Sequence, residues 1–96
     1  MSRLVEIYTR SHCVYCQRAK DLLRIKGIDF VEHDITDNPH KTAEMQQRSP
    51  QQEAPGIFID GQAIGGCREL FDLDEQGLLD QLLGLFPFPG GSLQSV

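Results

Sequence analysis

The chain has 96 residues, 40% of them hydrophobic, a formal charge of −5 and three cysteines. That length makes one domain able to bury a core, and three unevenly placed cysteines exclude a secreted disulfide framework. The acidic balance, without a basic cluster, disfavours nucleic acid as a partner, because phosphate contacts need Lys and Arg on one face. No stretch approaches transmembrane length, and Met1-Ser2-Arg3-Leu4-Val5-Glu6 carries no apolar signal run. The expectation is therefore a soluble, monomeric protein of a reducing, cytoplasmic compartment, with no membrane partner.

Residues 3–9 read as a first strand, since Leu4-Val5-Glu6-Ile7-Tyr8 alternates and is rich in β-branched and aromatic side chains. Arg10, Ser11 and His12 lead into Cys13-Val14-Tyr15-Cys16. Ala19, Leu22 and Leu23 then recur at helical spacing and Gly27 caps the segment, which predicts a helix over 13–26. Residues 28–35 read as a second strand with Ile28, Phe30, Val31 and Ile35 as its apolar positions. A strand that comes after a strand and a helix pairs most simply in parallel, as a right-handed β-α-β unit.

Asp37-Asn38-Pro39 is a helix start, with an Asn or Asp cap and then Pro at the first position. The helix over 39–48 is weakly amphipathic, with Ala43 and Met45 as its apolar residues, and belongs at the surface; Ser49-Pro50 stops it. Ile57-Phe58-Ile59 is a short apolar strand. Asp60-Gly61 is a hairpin turn signal joining it to an antiparallel strand over 62–64. Gly65-Gly66 precedes a helix over 67–75 with Leu70, Phe71 and Leu73 as apolar positions. Leu78, Leu79, Leu82 and Leu83 form the packing stripe of a last short helix. Residues 85–96, with Phe86 and Phe88 among Pro and Gly, read as an irregular tail after a domain over 1–84, one phenylalanine docking it. The fold class is α/β: a four-stranded mixed sheet flanked by helices, thioredoxin-like in its order.

The chemistry is carried by Cys13-Val14-Tyr15-Cys16. Cys13 falls at the mouth of a helix and Cys16 one turn inside it. Backbone N–H groups at a helix N-terminus favour an anion, and thiol exchange is run by the thiolate. Cys13 is then the nucleophile, and Cys16 is placed to close a disulfide and resolve a mixed disulfide. A Cys-x-x-Cys is also half of a zinc site. The chain offers only Cys67, His12, His33 and His40 besides carboxylates, with no second paired motif, so no metal ligands are assigned. A purely structural disulfide is disfavoured because so short a loop constrains little of the unfolded chain. His33 and His40 read as surface residues without partners, and His12 as an exposed loop residue beside Cys13.

Four segments together resemble the glutaredoxin family, and within it the small bacterial dithiol members. They are Glu6-Ile7-Tyr8-Thr9, the Cys13–Cys16 motif, Ala54-Pro55-Gly56-Ile57-Phe58-Ile59-Asp60-Gly61, and Ile64-Gly65-Gly66-Cys67-Arg68-Glu69-Leu70. The resemblance implies a thioredoxin fold and glutathione-dependent reduction of protein disulfides and glutathione mixed disulfides, with glutathione as co-substrate and disulfide or glutathionylated proteins as partners. It aligns Cys13 with the nucleophile and Cys16 with the resolving cysteine. Arg10 stands at the family's usual Lys, in reach of the glutathione glycyl carboxylate, and Tyr15 flanks the glutathione sulfur. Pro55 matches a cis-proline that presents the backbone of Ala54 to the cysteinyl part of glutathione, as an added strand does. Gly65-Gly66 would permit close approach, and the N–H groups of Cys67 and Arg68 would face the γ-glutamyl carboxylate.

The departures from the family pattern are specific. Val14 replaces the usual Pro of dithiol members, and Glu53 replaces a Thr. Arg68-Glu69 replaces an acidic pair that meets the glutathione α-amino group, leaving Glu69 alone for that role. Thr42 stands where Arg or Gln often serves the glycyl carboxylate, with Lys41 adjacent as a substitute. Val14 opens two rival functions: a carrier of a [2Fe–2S] cluster held between protomers, and a redoxin-like electron donor reduced by thioredoxin reductase.

Overall fold

The structure, a computed structural model, describes residues 3–50 and 52–85. Four strands and four helices succeed one another in the order β1 (Val5–Thr9), α1 (Val14–Ile25), β2 (Val31–Asp34), α2 (Pro39–Arg48), β3 (Gly56–Ile59), β4 (Gln62–Gly65), α3 (Cys67–Glu75) and α4 (Leu79–Leu82). The strands form one mixed sheet in the order β2-β1-β3-β4. β1 runs parallel to β2, with Glu6 opposite Val31 and Thr9 opposite Asp34. It runs antiparallel to β3, with Val5 opposite Ile59 and Tyr8 opposite Gly56. β3 and β4 form the hairpin expected from Asp60-Gly61, and both turn residues have positive φ, 51° and 81°, as a two-residue turn of this hand demands.

Alternation along β1 sends Val5 and Ile7 to one face of the sheet and Tyr8 to the other. The first face carries the larger core, where Ile7, Ile57 and Ile59 meet Ala19, Leu22 and Leu23 of α1, Leu70 of α3, and Leu79 and Leu83 at the α4 end. The opposite face is covered by α2, whose Met45 is fully buried against Tyr8, Ile35 and Phe58. The helix predicted to rest lightly on the surface is thus anchored by a single apolar side chain and by charge. Arg48 reaches Glu6 on β1 with both terminal nitrogens, at 2.8 and 3.2 Å, and donates to the Tyr8 hydroxyl at 2.6 Å. Glu44 of the same helix accepts from Tyr8.

Several sequence expectations shift at their edges. The second strand is shorter than predicted and begins at Val31. The Ile28 N–H instead donates to Leu23 O at 2.9 Å, which closes the end of α1, so Ile28 and Phe30 pack against the core from a loop. Val31 is exposed, because β2 is an edge strand. His33 has partners after all: it stacks on Tyr8 with centroids 4.5 Å apart, and its Nε2 lies 3.1 Å from Glu6 Oε2. That cross-strand pairing has no signature in local sequence. Leu78 is exposed while Leu79 and Leu83 are buried, so the last leucine stripe is narrower than its spacing suggests. The predicted docking of Phe86 or Phe88 lies outside the described residues.

Candidate functional site

The motif sits where β1 hands over to α1. Cys13 is the N-cap of α1, with extended backbone angles of −107° and 109°, and its Sγ accepts the Cys16 N–H at 3.1 Å. A sulfur in that position does what a capping Ser or Asp oxygen does: it satisfies a first-turn donor that the helix leaves without an acceptor. Cys13 is partly exposed, whereas Cys16 is 2% exposed. Burial, together with the hydrogen bond to Cys13, pushes the Cys16 thiol up to about 12. The two thiols of one short motif therefore differ sharply in access to solvent. The loop ahead of them is tied down by the end of β1 and by the turn after β2. Ser11 N–H donates to the Thr36 hydroxyl at 2.8 Å, and Ile35 N–H donates to Thr9 O at 2.8 Å. His12, exposed, adopts a φ of +57° in the tight turn into the helix.

Two depressions flank the motif. The larger, about 1020 Å³, is lined by Tyr15 and Arg18 of α1, Gln52 to Pro55 ahead of β3, and Gly66 to Glu69 with Phe71 at the start of α3. It gathers Tyr15, Ala54, Pro55, Gly66, Cys67, Arg68 and Glu69, residues far apart in sequence that the family pattern links. The Ala54–Pro55 bond is cis, as the resemblance implies. The Cys67 thiol, at the mouth of α3 in this groove, is pushed up by burial.

Gly65 is the hinge between β4 and α3. Its φ is +118°, and a Cβ there would come within 2.8 Å of Glu69 Cγ. The close approach leaves Glu69 Oε1 accepting the Gly66 N–H at 2.7 Å, which caps α3. Glu69 thus has a structural task in addition to the one suggested by the family pattern. Arg68 projects into solvent with its side chain 88% exposed, beside Asp72 at 4.0 Å.

The smaller depression, about 470 Å³, holds both thiols. Thr9, Arg10, Ser11, His12, Cys13, Val14, Cys16, Gln17, Lys20, Glu32 and Asp34 line it. Arg10 lines this depression and not the larger groove, and it also borders a shallow hollow with Asn38, Thr42 and Gln46. Lys41 turns toward Glu44 and His33, each at 3.5 Å, rather than toward the motif. Sequence reasoning misses Arg18 and Phe71 as groove residues. The apolar helical pattern assigns Phe71 to the core, yet it is 41% exposed. Arg18 lies over the Tyr15 ring at 5.9 Å, and its place three residues after Tyr15 on one helix face is the signal that points to it.

The described residues contain no cluster of three or more His, Cys, Asp or Glu side chains arranged for a metal ion. Among them no helix is long and apolar enough to cross a membrane.

Comparison with known proteins places this geometry. A glutaredoxin family profile matches residues 5–64. Glutaredoxin 3 of Escherichia coli strain K12 is 53% identical over 79 residues, which cover 82% of this chain and 95% of the relative. The solution structure of glutaredoxin from Brucella melitensis superposes with a TM-score of 0.76 at 48% identity, covering 85% of this chain and 89% of that one. A crystal structure of a buckwheat glutaredoxin–glutathione complex superposes with a TM-score of 0.77 at 25% identity, over 86% and 78% of the two chains. The mixed sheet with its flanking helices is accordingly the thioredoxin fold. The chain belongs to the glutaredoxin family of thiol–disulfide oxidoreductases.

Proposed function

We propose that this glutaredoxin uses glutathione to reduce protein disulfides and glutathione mixed disulfides, with Cys13 as nucleophile and Cys16 as the resolving thiol. The observation that carries the reading is the asymmetry of the motif. Cys13 Sγ is partly exposed at a helix N-terminus and receives a backbone N–H at 3.1 Å, while Cys16 is buried and held protonated. The Cys13 thiolate attacks a substrate sulfur and the substrate's second sulfur leaves as a thiol. The mixed disulfide on Cys13 is then released by glutathione, or by Cys16 with formation of a Cys13–Cys16 disulfide that two glutathiones reduce.

The larger groove supports glutathione as the reductant. Its volume of about 1020 Å³ accommodates a tripeptide. In this reading Tyr15 packs beside the glutathione sulfur, and Ala54, fixed ahead of cis-Pro55, pairs with the cysteinyl backbone as an added strand. The first turn of α3, at Cys67 and Arg68, receives the γ-glutamyl carboxylate, and Glu69 meets the α-amino group through the oxygen not used by Gly66. Arg10, in the smaller depression with the thiols, serves the glycyl carboxylate. Disulfide-bearing and glutathionylated proteins are the partners, the protein acts as a monomer, and the cytoplasm is the compartment in which this chemistry runs toward reduction.

Turnover of a small glutathione mixed disulfide, coupled to glutathione and its reductase, tests the proposal. Robust activity that Cys13→Ser abolishes is the expected result. An inactive protein whose dithiol is reduced by thioredoxin reductase would replace the proposal with a dedicated electron donor. Inactivity in both assays, with a visible chromophore after anaerobic reconstitution, would replace it with a [2Fe–2S] carrier.

A further inference from the structure

The resolving thiol poses a problem that the groove residues do not solve. In the reduced dithiol the Cys16 thiol is pushed up to about 12, first by burial and then by Cys13; the burial remains when Cys13 is in a mixed disulfide, yet the dithiol route requires Cys16 to attack as a thiolate. Cys13, Cys16 and Lys20 lie three and four residues apart on one face of α1. Lys20 is largely buried, with 15% of its side chain exposed, and its Nζ donates to Glu32 Oε2 on β2 at 3.0 Å. Thr9, itself buried, donates its hydroxyl to the same Glu32 oxygen at 2.6 Å. All three side chains line the depression that contains both thiols. Thr9 and Lys20 hold the Glu32 carboxyl below its usual range, so it stays charged and acts as an anchor rather than a base.

We infer that Lys20, fixed by Glu32 and Thr9, is a positioning residue that stabilises the Cys16 thiolate and thereby sets the rate of the dithiol route. The inference rests on the division of labour between Cys13 and Cys16 proposed above. The titratable and charged groups that line the depression with Cys16 are Cys13 at the N-cap of α1, Lys20 from α1, Arg10 and His12 from the loop, and Glu32 and Asp34 from β2. Against burial and Cys13, the Arg10 backbone N–H and, after it, the Lys20 ammonium draw the Cys16 thiol toward ionisation, Lys20 being the one side-chain charge among them that does so. In the step itself, Cys16 gives its proton to solvent and its sulfur attacks Cys13 Sγ. The Cys13–Cys16 bond forms, the bond from Cys13 to substrate breaks, and the substrate leaves as a thiolate that takes a proton. Two electrons pass from the dithiol to the substrate, and no further co-reactant is needed.

The test uses an aromatic disulfide that releases a coloured thiol twice, first on attack by Cys13 and again on resolution by Cys16. In Lys20→Met, the second phase is expected to slow about tenfold at neutral pH and its pH midpoint to rise by about one unit. The first phase should be unchanged, a cooperative denaturant melt shows that the variant is folded, and Lys20→Arg should restore both values. A second phase with wild-type rate and midpoint, or equal slowing of both phases, would overturn the inference. A wild-type protein with no first phase would overturn the Cys13 assignment itself, and the inference with it.

Discussion

The two depressions beside the Cys13–Cys16 turn are built from different materials. The larger is walled by Tyr15, Ala54, Pro55 and Phe71, with Arg18, Glu53, Arg68, Glu69 and the mouth of α3 supplying its polarity. The smaller is walled by Arg10, Lys20, Glu32 and Asp34 and holds the sulfurs themselves. Apolar walls with a few directed donors select and orient a ligand, whereas fixed charges around a reacting atom act on its protonation and on developing charge. In the proposed mechanism one side of the motif serves recognition and the other ionisation. Helix α1 serves both, supplying Tyr15 to one side and Cys16 and Lys20 to the other.

The largest expected effect comes from removing the sulfur that serves both sides. Cys13→Ser should bring turnover of every disulfide substrate to background in the coupled assay, since both routes start from this thiolate. Cys16→Ser should split the two routes: reduction of glutathione mixed disulfides persists, while reduction of protein disulfides by the intramolecular path is lost. Parallel assays with the two substrate types check this. On the recognition side alone, Gly65→Val forces a side chain into Glu69 at a backbone angle that β-branched residues avoid. The mouth of α3 then shifts, and KM for glutathione should rise roughly tenfold, about 1.4 kcal/mol of binding, with the first-phase attack of Cys13 unaffected.

The smallest effect on chemistry comes from the far face of the sheet. Arg48 and His33 hold the Glu6 carboxyl below its ordinary value of 4.5. A carboxylate lowered on folding contributes stability above its unfolded value, and that contribution is lost as pH falls through its folded one. Arg48→Met should therefore cost about 1–3 kcal/mol at neutral pH, seen in denaturant melts, and should flatten the fall in stability below about pH 4.5. Activity of the folded fraction at neutral pH should remain unchanged, because neither depression contains Arg48.

The recognition side is legible in the sequence to an unusual degree, and for a physical reason. It is made of backbone-directing residues, Pro55, Gly65 and Gly66, and of a helix mouth, all of which leave marks in local sequence. The element order and the β3–β4 hairpin are legible on the same grounds. The ionisation side is not, because Thr9, Lys20 and Glu32 meet only through the parallel register of β1 with β2 and the packing of α1 above them. Each reads alone as an ordinary polar residue. His33 escapes a local reading for the same reason, its partners Glu6 and Tyr8 being on the neighbouring strand. Phe71 fails differently: periodicity assigns it to the core, but α3 turns that side toward the groove.

The central claim is that one motif holds two thiols of opposite character, Cys13 reactive and Cys16 dormant until a mixed disulfide forms. Alkylation of the reduced native protein with a substoichiometric amount of iodoacetamide at neutral pH, then peptide mapping, tests it most directly. The account predicts modification at Cys13, with Cys16 and Cys67 unmodified. Label appearing first on Cys16, or equally on both motif cysteines, would contradict it.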